Sequence, residues 1–236
     1  MMNRSTEVSA YVYYNKTSFQ RSLISWFEKN GREYPWRCNP SPYEILVSEV
    51  LLQQTNADRV VNIYNQLIRK FPDPHALALS EIDELISIIK PIGLNYRVAR
   101  LKKLSGLIVR KYGGDIPSQK DELLSLPGIG QYIANAVLCF AFSHKVPLVD
   151  VNILRMYERV FSLKSAKRRA REDPAVWQFA AEMLPDNFRE YNWAIMDFCA
   201  KICTTRCPNC GICPASWACS YFQSQGVLTI GKDDRN

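Results

Sequence analysis

Apolar residues recur at helical spacing along most of the chain, and this pattern constrains the fold more than any other feature. Phe19, Leu23 and Phe27 follow it, and the segment stops at Asn30-Gly31. Further helices are expected at about 43–54, 57–70, 82–89 and 120–125, with a basic helix after Gly93. No segment alternates polar and apolar residues as a half-buried strand does. The expected fold class is all-α.

Composition restricts the class of protein. The 236 residues suffice for one sizeable domain or two small lobes, and 47% of them are hydrophobic. The longest nearly unbroken apolar stretch, 133–142, is about half of a membrane span. No secretion signal opens the sequence. We therefore expect a soluble, cytoplasmic protein with no membrane partner, and its net charge of +7 favours a polyanion as partner.

Six of the eight cysteines lie between positions 199 and 219, which points to a metal or cluster rather than to disulfides. The spacing C-x6-C-x2-C-x5-C is formed by Cys203, Cys210, Cys213 and Cys219. Four thiolates can hold a 4Fe–4S cluster or a zinc ion, although zinc sites commonly use two short cysteine pairs and only one is present. Cys199 is expected in the core, whereas Cys207, inside the six-residue gap, is an alternative ligand.

The segment Leu126-Pro127-Gly128-Ile129-Gly130 separates two helical patterns. Glycines on both sides of one apolar residue allow a tight hairpin. The backbone N–H groups at the start of the following helix, from Gln131, can then bind a phosphate. A plain turn between helices is the alternative.

Two acidic residues lie beside apolar segments. Asp150 follows the apolar run 146–149 and precedes a helical pattern, so it is a natural N-cap. A capping carboxylate is also well oriented to face a developing positive charge. Glu49 lies among apolar residues of a predicted helix, where it either pairs with a nearby Arg, caps a neighbouring helix or serves a site. The basic run 164–171 is either a solvated loop or a DNA-facing patch.

The order of hairpin, Tyr132, Asp150 and cysteines resembles that of the helix-hairpin-helix (HhH-GPD) DNA glycosylase superfamily. The chain resembles its endonuclease III- and MutY-like members, and most of all its Mig-type thymine–guanine mismatch glycosylases, over roughly Phe19 to Phe222. The resemblance implies two helical lobes with DNA bound across the cleft between them. A six-helix lobe with the hairpin is expected at 34–144, and a cluster lobe at 1–33 and 145–236. It also favours a 4Fe–4S cluster over zinc.

The resemblance assigns roles to individual residues. Asp150 matches the catalytic aspartate. Tyr132 stands where bifunctional members place a Schiff-base lysine, and because tyrosine has no amine, a monofunctional glycosylase is expected. Glu49 matches a pocket glutamate that contacts the extruded base. Gln54 and Leu94 match residues that wedge into the space left by the flipped nucleotide, with ordinary packing as the alternative.

The expected substrate is thymine or uracil opposite guanine in double-stranded DNA, bound by a monomer. Similarity to Mig-type enzymes at 92–94, 112–114 and 196–198 motivates this choice. The chain also ends soon after Cys219, leaving no room for the domain with which MutY senses 8-oxoguanine. Because 48–55 is more similar to MutY, adenine removal opposite guanine or 8-oxoguanine is an alternative. A non-catalytic iron–sulfur DNA-binding protein is another.

Overall fold

The computed structural model describes residues 4–93 and 96–230, and within these ranges the regular structure is helical, without strands. The helices are α1 (Arg4–Asn30), α2 (Pro42–Leu52), α3 (Ala57–Lys70), α4 (Pro74–Leu79), α5 (Ile82–Ile89), α6 (Tyr96–Tyr112), α7 (Lys120–Ser125), α8 (Gln131–Phe142), α9 (Val151–Phe161), α10 (Pro174–Glu182), α11 (Phe188–Lys201) and α12 (Ser220–Ile230). The all-α prediction is confirmed. None of the helices in these ranges combines the length and the apolar character that a membrane crossing requires.

The chain divides into two compact units, Glu33–His144 and the combination of Met1–Arg32 with Lys145–Asn236. In the first unit, α2 is the central helix. It packs against α8, α3 and α6, and its residues 43–51 are all buried except Glu44. The helix begins with a capping box, because the Ser41 hydroxyl accepts from the Glu44 amide and the Glu44 carboxylate accepts from the Ser41 amide.

The partners of α2 complete the core of this unit. On α8, residues 133–140 are buried, so this helix is covered nearly all round. The α6 helix packs against α4 and α5, and the short α7 packs against α8. Consequently, the segment between α7 and α8 is anchored by buried Leu126 and Ile129, while the glycines beside Ile129 remain exposed.

In the second unit, α11 packs against α1 and α9, and α9 also packs against α12. Aromatic side chains fill the interior: the ring centroids of Phe19 and Phe161 lie 5.0 Å apart, edge to face. A buried carboxylate joins the segment just after α1 to α11, because Asp197 accepts from the Arg32 amide (2.7 Å) and from its guanidinium (2.7 and 2.8 Å). The packing of α11 and α12 against α9 positions this helix, whose N-cap is the candidate catalytic residue Asp150.

Candidate functional site

The carboxylate of Asp150 caps the N-terminus of α9 and is held by three hydrogen bonds. Its Oδ1 accepts from the Asn152 amide at 2.9 Å and from the Ile153 amide at 2.7 Å. Its Oδ2 accepts from the Asn152 side chain at 2.9 Å. Asp150 is half-buried, so it retains access to solvent. The predicted cap is confirmed, and it orients a partly accessible carboxylate at the positive end of a helix.

A chain of hydrogen bonds connects Asp150 to the cysteine segment. Asn152, which donates to Asp150, accepts through its Oδ1 from Arg155 Nη1 at 2.9 Å. Arg155 Nη2 then donates to the backbone carbonyl of Cys203 at 2.9 Å. The first turn of α9 and the start of the cysteine segment are therefore linked by two side chains.

Arg159, one turn further along α9, holds the same segment. Its guanidinium donates to the carbonyls of Thr204 (2.6 Å) and Thr205 (3.0 Å), and its Nη1 lies 3.6 Å from Cys203 Sγ. The roles of Asn152, Arg155 and Arg159 were not predicted from the sequence. Two arginines four residues apart share a helix face, and this spacing was the available signal.

Besides burial, neighbouring cysteines raise the pKa of three of the four candidate ligand thiols, Cys210, Cys213 and Cys219, so the four thiols lie near one another. Burial raises the pKa of Cys213 to about 11, and the neighbouring thiols add to this. Burial likewise raises the pKa of Cys210 and Cys219, again with Cys203 contributing. All four thiols are free of disulfides. In the described ranges, however, no three His, Cys, Asp or Glu side chains are gathered so as to hold a single metal ion.

The chemistry of the four thiols, rather than their arrangement, suits a thiolate-ligated group. Cys203 and Cys219 are buried and the other two are half-buried, so the sulfur atoms are largely shielded from water. Arg159, beside Cys203 Sγ, supplies positive charge that would offset thiolate charge. Of the extra cysteines, Cys199 is buried and donates to the Asn152 carbonyl at 3.4 Å, as expected of a core residue, whereas Cys207 is exposed.

The remaining candidate residues lie in the unit Glu33–His144. Glu49 is 6% exposed, in the middle of α2. Gln54, just past the end of α2, is exposed and has a left-handed backbone with φ of 54°. Tyr132 is half-buried in the first turn of α8. Leu94 lies outside the described residues.

The hairpin between α7 and α8 has the expected conformation. Gly128 has φ of +79°, which favours glycine, and the Ile129 amide donates to the Leu126 carbonyl at 3.2 Å. Gly130 is the N-cap of α8 and has no side chain to accept from the first-turn amides. The start of α8 at Gln131 therefore has the chemistry of an anion site.

The sequence and the fold of the chain are similar to those of known proteins. The HhH-GPD superfamily of base excision DNA repair proteins matches residues 47–179. A thymine/uracil-DNA glycosylase of Pyrobaculum aerophilum is 39% identical over 215 residues, which are 89% of this chain and 94% of the relative. A thymine-DNA glycosylase of Aeropyrum pernix is 40% identical over 212 residues, covering 88% and 95%.

A solved structure of a thermostable thymine-DNA glycosylase also superimposes on the chain. Its TM-score is 0.84 at 33% sequence identity, and the match covers 90% of this chain and 99% of the other. The residues that match the family, 47–179, include Glu49, the hairpin and Asp150. The chain therefore belongs to the HhH-GPD superfamily of base excision DNA repair proteins.

Proposed function

We propose that the protein is a monomeric, monofunctional DNA glycosylase that hydrolyses the N-glycosidic bond of thymine or uracil mispaired with guanine. The observation that supports the activity is the Asp150 carboxylate, fixed by three hydrogen bonds yet partly accessible. The substrate base is inferred from the thymine/uracil- and thymine-DNA glycosylases to which this chain aligns over nearly their full length. Double-stranded DNA carrying the mismatch is the partner.

Asp150 is the proposed catalytic carboxylate. As the N-glycosidic bond stretches, positive charge develops on the sugar, and an oriented carboxylate stabilises it or activates the attacking water. The hydrogen bonds from Asn152 and Ile153 fix the carboxylate before the substrate binds, so little reorganisation is needed during the reaction.

Glu49 and Tyr132 are the proposed residues of the base pocket. The buried carboxyl group of Glu49 can hydrogen-bond the polar edge of an extruded pyrimidine. Tyr132 has no amine and cannot form an imine with the sugar, so the reaction ends at an abasic site without strand cleavage.

The hairpin and the Gln54 turn are the proposed DNA contacts. Backbone amides at Gly128, Gly130 and Gln131 would bind a phosphate beside the mismatch, and exposed Gln54 would fill the gap left by the flipped nucleotide. Leu94 is the proposed second wedge. Filling the gap offsets part of an unstacking cost of a few kcal/mol.

We propose that Cys203, Cys210, Cys213 and Cys219 hold a 4Fe–4S cluster. When bound, such a cluster supplies four iron–thiolate bonds that cross-link the segment from 203 to 219. Absorption at about 400 nm together with iron and sulfide in the purified protein would support this assignment. Zinc without iron would contradict it.

The substrate is tested with duplexes containing T:G, U:G, A:G or A:8-oxoguanine, followed by alkaline cleavage of abasic sites. We expect product from the T:G and U:G duplexes. Product only from the adenine strands would replace the proposal by a MutY-like activity.

Asp150→Asn separates catalysis from binding, because it removes the charge and nearly preserves the shape of the side chain. Base release should be abolished, while affinity for the mismatch stays within about twofold. Glu158→Gln, which neutralises an exposed carboxylate on the same helix, is the matched control and should behave like the wild type. If both the wild type and Asp150→Asn are inert on every mispair, the protein is a DNA-binding module.

A further inference from the structure

Arg97, in the first turn of α6, is a fully buried arginine, with 0% of its surface exposed. A guanidinium in the interior is costly unless it is hydrogen-bonded. Its Nη2 donates to the backbone carbonyl of Gln53 and to Thr55 Oγ1 at 2.5 Å. These two acceptors flank Gln54 on both sides. Arg97 therefore holds the turn from the protein interior by hydrogen bonds, while Gln54 itself is exposed to solvent.

The turn requires stabilising hydrogen bonds because its central residue, Gln54, has an unfavourable backbone conformation. Gln54 has a positive φ of 54°, and a left-handed conformation is unfavourable for a residue that carries a Cβ. The Thr55 amide donates to the Leu52 carbonyl at 3.2 Å, which closes the turn at the end of α2. The two bonds from Arg97 hold the residues before and after Gln54 in this arrangement.

Arg100, one turn further along α6, links the same turn to the hairpin. Its Nη1 donates to Gln53 Oε1, and its guanidinium lies 5.0 Å from the centroid of the Tyr96 ring. It also packs directly against Gly128: a Cβ added there would lie 2.5 Å from Arg100 Nε. Glycine at position 128 therefore provides both the positive φ and the space for this arginine.

We propose that Arg97 and Arg100 are positioning residues that hold the Gln54 turn (53–55) and the hairpin (126–130) as one rigid DNA-facing element. The inference rests on the proposed function, in which the hairpin binds the backbone and Gln54 enters the gap. A fixed spacing between the two elements removes an ordering cost when a single duplex engages both. Arginine suits position 97 better than lysine because a guanidinium is more weakly hydrated than an ammonium, and here Nη2 alone donates to both acceptors in a fully buried position.

The test uses Arg97→Lys, Arg100→Lys and, as the matched control, Arg110→Lys on the exposed end of α6. Three quantities are measured: affinity for an undamaged duplex, fluorescence of 2-aminopurine placed beside a T:G mismatch, and the single-turnover rate of base release. We expect Arg97→Lys and Arg100→Lys to lower the fluorescence increase and the rate by about tenfold, with undamaged-duplex affinity within about twofold of wild type. Arg110→Lys should match the wild type.

A double-mutant cycle with Gln54→Ala distinguishes positioning from a general loss of stability. If Arg97 acts through Gln54, the variant with both changes should be no slower than Gln54→Ala alone. Independent, multiplying losses would overturn the proposal, as would wild-type fluorescence and rate in Arg97→Lys. If Arg97→Lys does not fold, Thr55→Val replaces it in the same measurements, because it removes one acceptor of Arg97 and keeps the side-chain shape. Absence of base release from the wild type would instead refute the proposed function.

Discussion

The hydrogen bond from the Asn152 side chain to Asp150 allows a quantitative prediction. Asn152→Ala removes the donor to Asp150 Oδ2 but leaves both backbone amides on Oδ1. A hydrogen bond to a charged group contributes about 1.5–3 kcal/mol, and partial exposure of Asp150 places this one at the lower end. If that energy orients the carboxylate for the transition state, base release should slow by about tenfold.

Asn152→Asp should be slower than Asn152→Ala. The new carboxylate removes the same donor and places a second negative charge beside Asp150. Single-turnover base release from a T:G duplex measures both variants, and Glu158→Ala, an exposed position on α9, is the control. The helix cap remains, so the free energy of unfolding of Asn152→Ala should change by only about 1 kcal/mol. Wild-type rates for both Asn152 variants, with Asp150→Asn inactive, would refute the reasoning.

Three further predictions concern other parts of the chain. Tyr132→Lys introduces an amine, so borohydride should trap a covalent DNA adduct with the variant and not with the wild type; no adduct from either would show that position 132 does not reach the sugar. Asp197→Asn removes the charge that pairs with Arg32 in a buried site and should lower the free energy of unfolding by about 3 kcal/mol in urea denaturation, whereas a negligible change would contradict this. The Ser165 hydroxyl and backbone amides donate to Asp173 and hold its pKa below the usual value. The ionised carboxylate therefore orders the loop 164–171, and this contribution is fully present above pH about 4. It is lost as the pH falls through the lowered pKa and Asp173 becomes protonated. Asp173→Ala should accordingly speed trypsin cleavage in this loop at neutral pH, and an unchanged cleavage rate would exclude that role.

The sequence by itself determined the features that depend on neighbouring residues. Helical periodicity set the all-α class, and the helices at 57–70, 82–89 and 120–125 occur as expected. The capping role of Asp150 followed from its place between an apolar run and a helical pattern. The family followed from the order of hairpin, Asp150 and cysteines, and the comparisons confirm it. The roles of individual site residues remain predictions.

Only the tertiary structure decided which basic residues are structural and what they hold. In the sequence, nothing distinguishes Arg97 and Arg155 from the exposed basic residues of the same helices. Yet Arg97 binds a turn more than 40 residues away in the chain, and Arg155 binds the Cys203 carbonyl 48 positions further on. A long, flexible cation gives no local signal of its partner, because the acceptors are backbone carbonyls that every residue carries. Packing alone brings these carbonyls within reach, and so it determines how the Gln54 turn and the Asp150 carboxylate are held.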